Sequence, residues 1–170
     1  RSRGDKSVKL LIRLNKGDFV ETVYMSFEAR RTVCVSSQVG CKFHCAFCAS
    51  GQDGFMRNLT MGEILSQVLL ARDLAEDKKI TNIVFMGIGE PFDNYRELLR
   101  AIRQLNAKGS FGIGARRITI STCGIVPKIE ELTQEGLQVE LSVSLHGPND
   151  TVRGALMPVN KAFPRLLMPL

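Results

Sequence analysis

Strands and helices alternate along the second half of this 170-residue chain. Three β-rich runs are separated by two runs with helical periodicity, in the order ITNIVFMG (80–87), DNYRELLRAIRQLNAKG (93–109), RRITIST (116–122), VPKIEELTQEG (126–136) and LQVELSVSLHG (137–147). Pro127 falls in the first turn of the second helix, and Gly109 and Gly136 are placed to end the two helices. This alternation predicts an α/β fold with parallel strands and right-handed crossovers.

The last predicted strand has one apolar face and one polar face. The apolar face carries Leu137, Val139, Leu141, Val143 and Leu145, and the polar face carries Gln138, Glu140, Ser142, Ser144 and His146. A parallel strand covered by helices on both sides should be apolar on both. We therefore expect the polar face to line a ligand-holding interior, which favours an open (β/α) barrel over a flat doubly wound sheet. Four βα units cannot close an eight-stranded barrel, so the barrel is predicted to be incomplete.

The first third of the chain predicts a β-hairpin and then a loop rich in cysteine. Residues 8–27 form two β-rich runs around the turn NKGD, where Gly17 can take a positive φ. The short run RRTVCVSS leads from there into the cysteine loop, and Thr60 and Glu63 form a capping box that opens a helix. We divide the chain into a hairpin region, 1–30, and a truncated barrel domain, 31–170.

Composition indicates the cellular compartment of the protein and the kind of partner that it can bind. Its apolar runs are too short to span a bilayer and no signal peptide is evident, which predicts a cytoplasmic protein without membrane contact. Five cysteines in a reducing compartment indicate metal or redox chemistry. The net charge of +6 suits a phosphate backbone, although many basic proteins bind no nucleic acid.

Cys41, Cys45 and Cys48 follow the spacing C-x3-C-x2-C. Three thiolates on a tight loop suit a cubane iron–sulfur cluster, with one iron left open to bind a substrate. The alternative is a zinc site whose fourth ligand would be His44 or Cys34, although structural zinc sites usually take two paired spacings. Buried thiols without a metal are the third interpretation.

The cysteine spacing, on the loop after the first barrel strand, resembles that of the radical S-adenosylmethionine enzymes. The string FMGIGEP (85–91) resembles their GGEP-type motif, and this implies that Gly89 and Glu90 face the amino group of the cofactor. Ser121 and the string SLH, which is Ser144, Leu145 and His146, stand at later strand ends and complete the expected cofactor site. The resemblance implies a [4Fe–4S] cluster held by the three cysteines, with S-adenosylmethionine bound beside it.

Six longer strings are similar to those of the RNA adenosine C2 methyltransferases, and they occur in that family's order. They are CVSSQVGC, GFMRNLT, FMGIGEP, RRITISTCGIVP, SLHGPND and LMPVNK. The related C8 methyltransferases share many of them, so a C8 enzyme remains an alternative, as does a radical enzyme with another substrate. An alternative of another class is a zinc-stabilised basic RNA-binding module.

The family resemblance assigns roles to two further residues. In that family, the cysteine at the position of Cys34 attacks a sulfur atom and so releases a protein–RNA intermediate. Glu21 matches the residue that serves as proton acceptor in that family. The methyl group is carried in this family by a second cysteine near the C-terminus. The resemblance also implies ribosomal RNA and transfer RNA as substrates, an external electron donor, and a monomer.

Several features depart from the family pattern. The chain begins after the family's helical N-terminal region, the methyl-carrying cysteine is missing, and the tail FPRLLMPL (163–170) differs from the usual continuation. Cys123 is predicted to be a small buried thiol. We expect from these departures that the chain is a fragment that cannot complete methyl transfer alone.

Overall fold

The computed structural model describes residues 7–75 and 77–164. Six strands form one sheet: β1 (Val8–Arg13), β2 (Phe19–Phe27), β3 (Arg30–Cys34), β6 (Asn82–Phe85), β7 (Ile118–Thr122) and β8 (Glu140–Val143), in the order β1-β2-β3-β6-β7-β8. The strands β1, β2 and β3 are antiparallel, whereas β3, β6, β7 and β8 are parallel. Two short strands, β4 (Gln38–Gly40) and β5 (Phe55–Asn58), pair antiparallel in a separate sheet. This mixed sheet confirms the predicted hairpin and the predicted α/β class.

Each parallel strand is followed by a helix, which confirms four βα units. The helices are α1 (Met61–Arg72), α2 (Tyr95–Asn106), α3 (Val126–Thr133) and α4 (Asp150–Leu156). The capping box predicted at the start of α1 is present: Thr60 Oγ1 accepts from the Glu63 N–H, and the Glu63 carboxylate accepts from the Thr60 N–H. None of the helices among the described residues is long and apolar enough to cross a bilayer.

One helix and one strand are shorter in the structure than the sequence predicted. The helix expected to reach Gly109 ends at Asn106, because Ala107 takes an extended ψ of 127° and the Asn106 side chain binds the carbonyl of Ile113. The strand expected over 137–147 is reduced to Glu140–Val143, because it lies at the sheet edge and its partner β7 has only five residues. The division of the chain at residue 30 remains a prediction, and residues 1–6 and 165–170, which include most of the unusual tail, lie outside the described residues.

The strand register separates the sheet into two faces, because residues directly paired across strands project to the same side. The outer face packs on the helices and carries the buried side chains of Val20, Tyr24, Val33, Ile83, Phe85, Ile118 and Ile120. The inner face is mainly polar and carries Glu21, Cys34, Thr119, Ser121 and Ser142. The face assignments predicted from alternation in β7 and β8 are therefore confirmed. Leu141 is the exception in burial, since it lies on the outer face of the edge strand and is 37% exposed.

Candidate cluster and cofactor site

The carboxyl ends of the four parallel strands gather the predicted site residues at one end of the sheet. The cysteine loop follows β3 through β4, and the turn with Gly89 and Glu90 follows β6. Ser121 lies near the end of β7, and Ser144 follows β8, where its N–H donates to the carbonyl of Thr122 at 2.9 Å. Ligand sites in parallel α/β folds lie at this end of the strands.

The base of the cysteine loop is closed by the β4–β5 ladder. Gly40 has a φ of +72°, and a Cβ on it would stand 1.8 Å from the carbonyl oxygen of Gly54. The N–H of Cys41 donates to that same oxygen at 3.0 Å. Within the loop, the N–H of Cys48 donates to the carbonyl of Cys45 at 3.0 Å, which forms a tight turn. Backbone hydrogen bonds therefore fix the start of the loop at Cys41 and the turn between Cys45 and Cys48.

The three cysteine thiols form an electrostatically coupled group. Burial raises the pKa of the Cys41 and Cys45 thiols, and each pKa is raised further by the neighbouring cysteines and by Glu90. Burial therefore favours the protonated form of Cys41 and of Cys45, and a bound metal would reverse this because it stabilises thiolates. The donor set, three soft sulfurs on one short loop, fits an iron–sulfur cluster.

A zinc site would need its ligands close together. Four thiolates around zinc would have sulfurs about 3.8 Å apart, given Zn–S bonds of about 2.3 Å. Among the described residues, no three His, Cys, Asp or Glu side chains are arranged to hold a single metal ion. His44, considered as a fourth ligand, is exposed and has a φ of 47°.

Glu90 is buried at the centre of the site, with 4% of its surface exposed. Its Oε2 accepts from the N–H of Cys123 at 2.7 Å and its Oε1 accepts from the N–H of Phe92 at 3.0 Å. Burial raises its pKa, and the hydrogen bonds from Cys123, Thr122 and Phe92 oppose that rise. These hydrogen bonds fix the orientation of the Glu90 carboxylate, which also acts electrostatically on Cys41 and Cys45.

Gln38 joins the turn that contains Glu90 to the base of the cysteine loop. Its Oε1 accepts from the Glu90 N–H at 2.8 Å, and its Nε2 donates to Asn58 Oδ1 at 2.7 Å and to Asp93 Oδ2 at 2.8 Å. Asp93 in turn pairs with Lys42, the residue after Cys41. Neither Gln38 nor Asp93 was predicted from the sequence as a site residue. Both lie inside strings quoted above, CVSSQVGC and the helix that begins at 93, but neither has a spacing typical of a ligand or a catalytic residue.

Gly89 permits this close approach between the two segments. Its φ is +100°, and a Cβ there would lie 2.5 Å from the Cβ of Gln38 and 2.9 Å from its backbone nitrogen. Only glycine combines that conformation with that clearance.

Cys34 and Glu21 project from the same inner face of the sheet, because Cys34 pairs with Val23, two residues from Glu21 along β2. Burial raises the pKa of the Cys34 thiol, against a hydrogen bond from the backbone of Met86. Glu21 is 41% exposed at its side chain and forms an ion pair with Lys9 at 2.7 Å. Its carbonyl accepts from Ser36 Oγ at 2.7 Å.

The SLH segment meets the cysteine loop through aromatic contact. The rings of His146 and Phe47 have centroids 4.5 Å apart at an angle of 53°. His146 is exposed and has a φ of 54°, whereas Ser144 and Leu145 are half-buried. The ring contact therefore brings the end of this segment to the loop that holds Cys45 and Cys48.

Cys123 is buried, as predicted, but it lies closer to the candidate site than the sequence indicated. Its N–H binds Glu90, and its side chain packs with Met157, Val159 and Cys45 in a small apolar cluster. The pKa of the Cys123 thiol is raised strongly, first by burial and then by the Glu90 carboxylate. The motif STCG gave no signal of this contact, since it depends on the packing of two strand ends.

A mixed α/β sheet that carries three cysteines and a buried carboxylate at the carboxyl end of its parallel strands defines a class: α/β proteins with a metal or cofactor site at the strand ends. The radical SAM superfamily profile matches residues 35–165. The chain belongs to the radical SAM superfamily. Its cofactors are accordingly a [4Fe–4S] cluster and S-adenosylmethionine.

Relatives with solved or curated descriptions are similar over nearly the whole chain. The crystal structure of a radical SAM methyltransferase from Sphaerobacter thermophilus superposes with a TM-score of 0.94 at 46% identity, covering 99% of this chain and 50% of that one. This match confirms the predicted partial radical SAM barrel.

Two curated relatives carry the description of a probable dual-specificity RNA methyltransferase RlmN. The protein of Clostridium tetani is 49% identical over 95% of this chain and 46% of its own length. The protein of Thermoanaerobacter sp. is 51% identical over 94% of this chain and 46% of its own length. The chain spans about half the length of the curated relatives that it matches.

Proposed function

We propose that this chain forms the cluster- and cofactor-binding part of a methyltransferase that modifies C2 of adenosine in ribosomal and transfer RNA. The observation that carries the proposal is the meeting of the three-cysteine loop and buried Glu90 at one end of the sheet. The similarity to proteins described as dual-specificity RNA methyltransferases supports the reaction and the RNA substrate. A C8 methyltransferase would share the same cofactor site.

In this proposal Cys41, Cys45 and Cys48 hold the cluster. When bound and reduced, the cluster supplies the electron that cleaves S-adenosylmethionine. Glu90 accepts a hydrogen bond from the cofactor's amino group, and Gly89 lets the backbone approach closely. Ser121, Ser144, Leu145 and His146 line the rest of the cofactor site. Their common position at the strand ends supports these assignments.

Cys34 and Glu21 act on the RNA side of the site. Both project from the inner face of the sheet, towards the space that an open barrel keeps for its substrate. Glu21 takes a proton, and its partial exposure leaves the carboxylate able to do so once it separates from Lys9. The Cys34 thiolate would attack the sulfur of the methyl-carrying cysteine, which lies outside this sequence. The disulfide that forms would replace that sulfur's bond to the transferred carbon, and the electron pair of the broken S–C bond would pass to the RNA product, which is then protonated. The raised pKa of Cys34 keeps its thiol protonated until a base or a higher pH removes the proton.

The positive charge of the chain supports an RNA partner. Three arginines, Arg30, Arg116 and Arg117, line a cavity of about 580 Å³ beside Phe27 at the amino end of the parallel strands. This is the end opposite to the cysteine loop, so a phosphate held here would position the RNA rather than react. We further propose a monomeric cytoplasmic protein that receives its electrons from an external one-electron donor.

The methyl-carrying step has no candidate residue in this sequence. Cys41, Cys45 and Cys48 are assigned to the cluster, Cys34 to release, and Cys123 is a buried thiol beside Glu90. We expect the chain to cleave the cofactor reductively without transferring a methyl group to adenine.

Anaerobic reconstitution with iron and sulfide tests the proposal. We expect about four irons and about four acid-labile sulfides per chain, and slow release of 5′-deoxyadenosine after addition of dithionite and S-adenosylmethionine. One tightly held zinc in place of the cluster would contradict the proposal.

Variants test the ligand assignment. Replacing Cys41, Cys45 or Cys48 by Ala should abolish the visible absorbance of the reconstituted cluster, because each removes one of three ligands. Cys34→Ala is the matched control and should keep that absorbance. Equal loss in Cys34→Ala and Cys45→Ala would show that Cys34 is a ligand.

A further inference from the structure

Arg153 is a fully buried arginine in α4, with 0% of its surface exposed. Its Nη2 donates to the carbonyl of Cys123 at 2.6 Å, and its Nη1 donates to Asn160 Oδ1 and to the carbonyl of Phe163. Its Nε is buried and has no hydrogen-bond partner among the described residues. A fixed guanidinium with one unused donor is unusual in a protein interior, where polar groups are almost always paired.

The helix that carries Arg153 is attached to the cysteine loop. The carbonyl of Leu156, one turn further along α4, accepts from the N–H of Ala46 at 2.8 Å. Met157 packs with Cys123 and Cys45 in the same apolar cluster. The residue that receives the guanidinium, Cys123, gives its own N–H to Glu90. Cys123 is therefore the single residue that connects Arg153 to the Glu90 carboxylate through hydrogen bonds.

The charge of Arg153 is not neutralised by an ion pair. Within the described part of the chain, no carboxylate oxygen lies within salt-bridge distance of this guanidinium, which instead binds neutral oxygens. Burial lowers its pKa, and the negative forms of Cys123, Asp150 and Cys45 oppose that effect. A buried charge is unfavourable unless another charge compensates it. Besides Asp150 on the same helix, the anionic groups that act on this guanidinium are the thiolates of Cys123 and Cys45, and Cys45 belongs to the cysteine loop that is attached to α4.

We propose that Arg153 is the internal counter-charge of the iron–sulfur cluster, a positioning residue that raises the cluster's one-electron midpoint potential. The inference rests on the proposed function, because it takes Cys41, Cys45 and Cys48 as the cluster ligands. The reduced cluster carries one more negative charge than the oxidised one, so a fixed positive charge in a region of low dielectric stabilises the reduced form. Arg153 also joins the carbonyl of Cys123 to α4, which keeps that charge at a constant distance from the loop.

The test is an anaerobic redox titration of the reconstituted chain, followed by electron paramagnetic resonance of the reduced cluster. Arg153→Gln should lower the ratio of reduced to oxidised cluster at a fixed potential about tenfold, which corresponds to a shift of about 59 mV for one electron. Arg153→Lys keeps the charge and should stay within about threefold of the parent ratio. Arg96→Gln removes the same charge from an exposed position on α2 and should leave the ratio unchanged.

Asn160→Asp provides a second route, since Arg153→Gln can lose the cluster by unfolding. A carboxylate at this position lies against Nη1 and neutralises the guanidinium without removing it. It should lower the reduced fraction in the same direction. The inference is overturned if the ratio of reduced to oxidised cluster stays within twofold of the parent in both variants. If Arg153→Gln holds no cluster, a ratio within twofold of the parent in Asn160→Asp alone overturns it. If the parent chain takes up four irons and the ratio of reduced to oxidised cluster does not shift in these variants, the proposed function stands without this inference. A parent chain that takes up no cluster contradicts both.

Discussion

Single residues at this site differ mainly in what surrounds them. Cys34 and Cys45 are both half-buried thiols, but Cys45 has two other cysteines beside it and Cys34 has a backbone hydrogen bond from Met86. The roles proposed for them come from the family resemblance, and the separation of Cys34 from the other cysteines agrees with a free thiol at that position.

The raised pKa of Cys34 predicts slow alkylation near neutral pH. Only the thiolate reacts, so the rate should keep rising as the pH increases through and beyond 9.0, the ordinary value for cysteine. Iodoacetamide labelling of the cluster-loaded chain, followed by peptide mass spectrometry, measures the rate. Cys34→Ser serves as the control for peptide assignment. A rate that has already levelled off by about pH 8 would mean that the pKa is lowered instead.

Elements are held in place here by side chains that connect loops to helix ends. The first turn of α1 depends on Glu63, which accepts from Arg57 at 2.8 and 2.9 Å and from the N–H of Thr60. Arg57 also pairs with Asp18 in the hairpin turn at 2.7 Å. One guanidinium thus links β5, α1 and the β1–β2 turn.

Glu63→Gln should destabilise the chain by about 1 kcal/mol at pH 7, because glutamine keeps the capping geometry but loses the charged bond to Arg57. The pKa of Glu63 is lowered, chiefly by the hydrogen bond from Arg57. A carboxyl whose folded pKa is lowered stabilises the fold above its unfolded value and loses this effect as the pH falls through the folded pKa.

Urea unfolding at several pH values measures this difference, which should be largest at pH 7 and should narrow below about pH 4.5. The exposed Glu130 on α3 provides the matched control, and its replacement by Gln should change the free energy of unfolding by less than about 0.5 kcal/mol. A Glu63→Gln difference that is constant with pH would contradict the electrostatic explanation.

Gly89→Ala should destabilise the turn after β6 by about 1–3 kcal/mol, since it forces an alanine to a φ of +100° against Gln38. It should also reduce iron uptake, because Gln38 connects this turn to the base of the cysteine loop. Gly109→Ala is the control: a Cβ there meets nothing within 4 Å, and the change should be neutral or slightly stabilising. Urea unfolding and iron analysis of both variants measure these effects. A Gly89→Ala chain with unchanged stability and iron uptake would show that the close approach to Gln38 is not required.

At the scale of the whole molecule, the two ends of the parallel strands have different chemistry. The carboxyl end holds thiols and a buried carboxylate, whereas the amino end holds the cavity with three arginines. In the proposed function, a phosphate of the RNA would bind in this cavity, at the end of the strands away from the thiols.

The double variant Arg116→Gln/Arg117→Gln should weaken RNA binding and lower the salt dependence of the affinity by about two units of slope, one for each phosphate that the variant no longer binds. Filter binding of a ribosomal RNA fragment at several salt concentrations measures both quantities. Arg96→Gln/Arg100→Gln removes two charges from α2 and should leave the slope unchanged. Equal slopes for both double variants would show that net charge, not this cavity, attracts the RNA.

The sequence by itself determined the local features of this protein. The βα alternation, the capping box at Thr60 and Glu63, and the three-cysteine loop depend on residues close together in the chain, and all are present in the structure. The strings that resemble RNA methyltransferases indicated the family for the same reason, since each is continuous in the chain.

The sequence predicted that the strand ends meet, but only the tertiary structure decided which side chains contact each other there. Glu90 lies against Cys123, 33 residues away, and Arg153 lies against Cys123 across 30 residues. Neither contact follows from periodicity, because both depend on the order of strands in the sheet and on how α4 packs against the cysteine loop. The edge position of β8 likewise exposes Leu141, which alternation alone had placed in the core. Burial and charge compensation are properties of the assembled sheet, and only the fold fixes them.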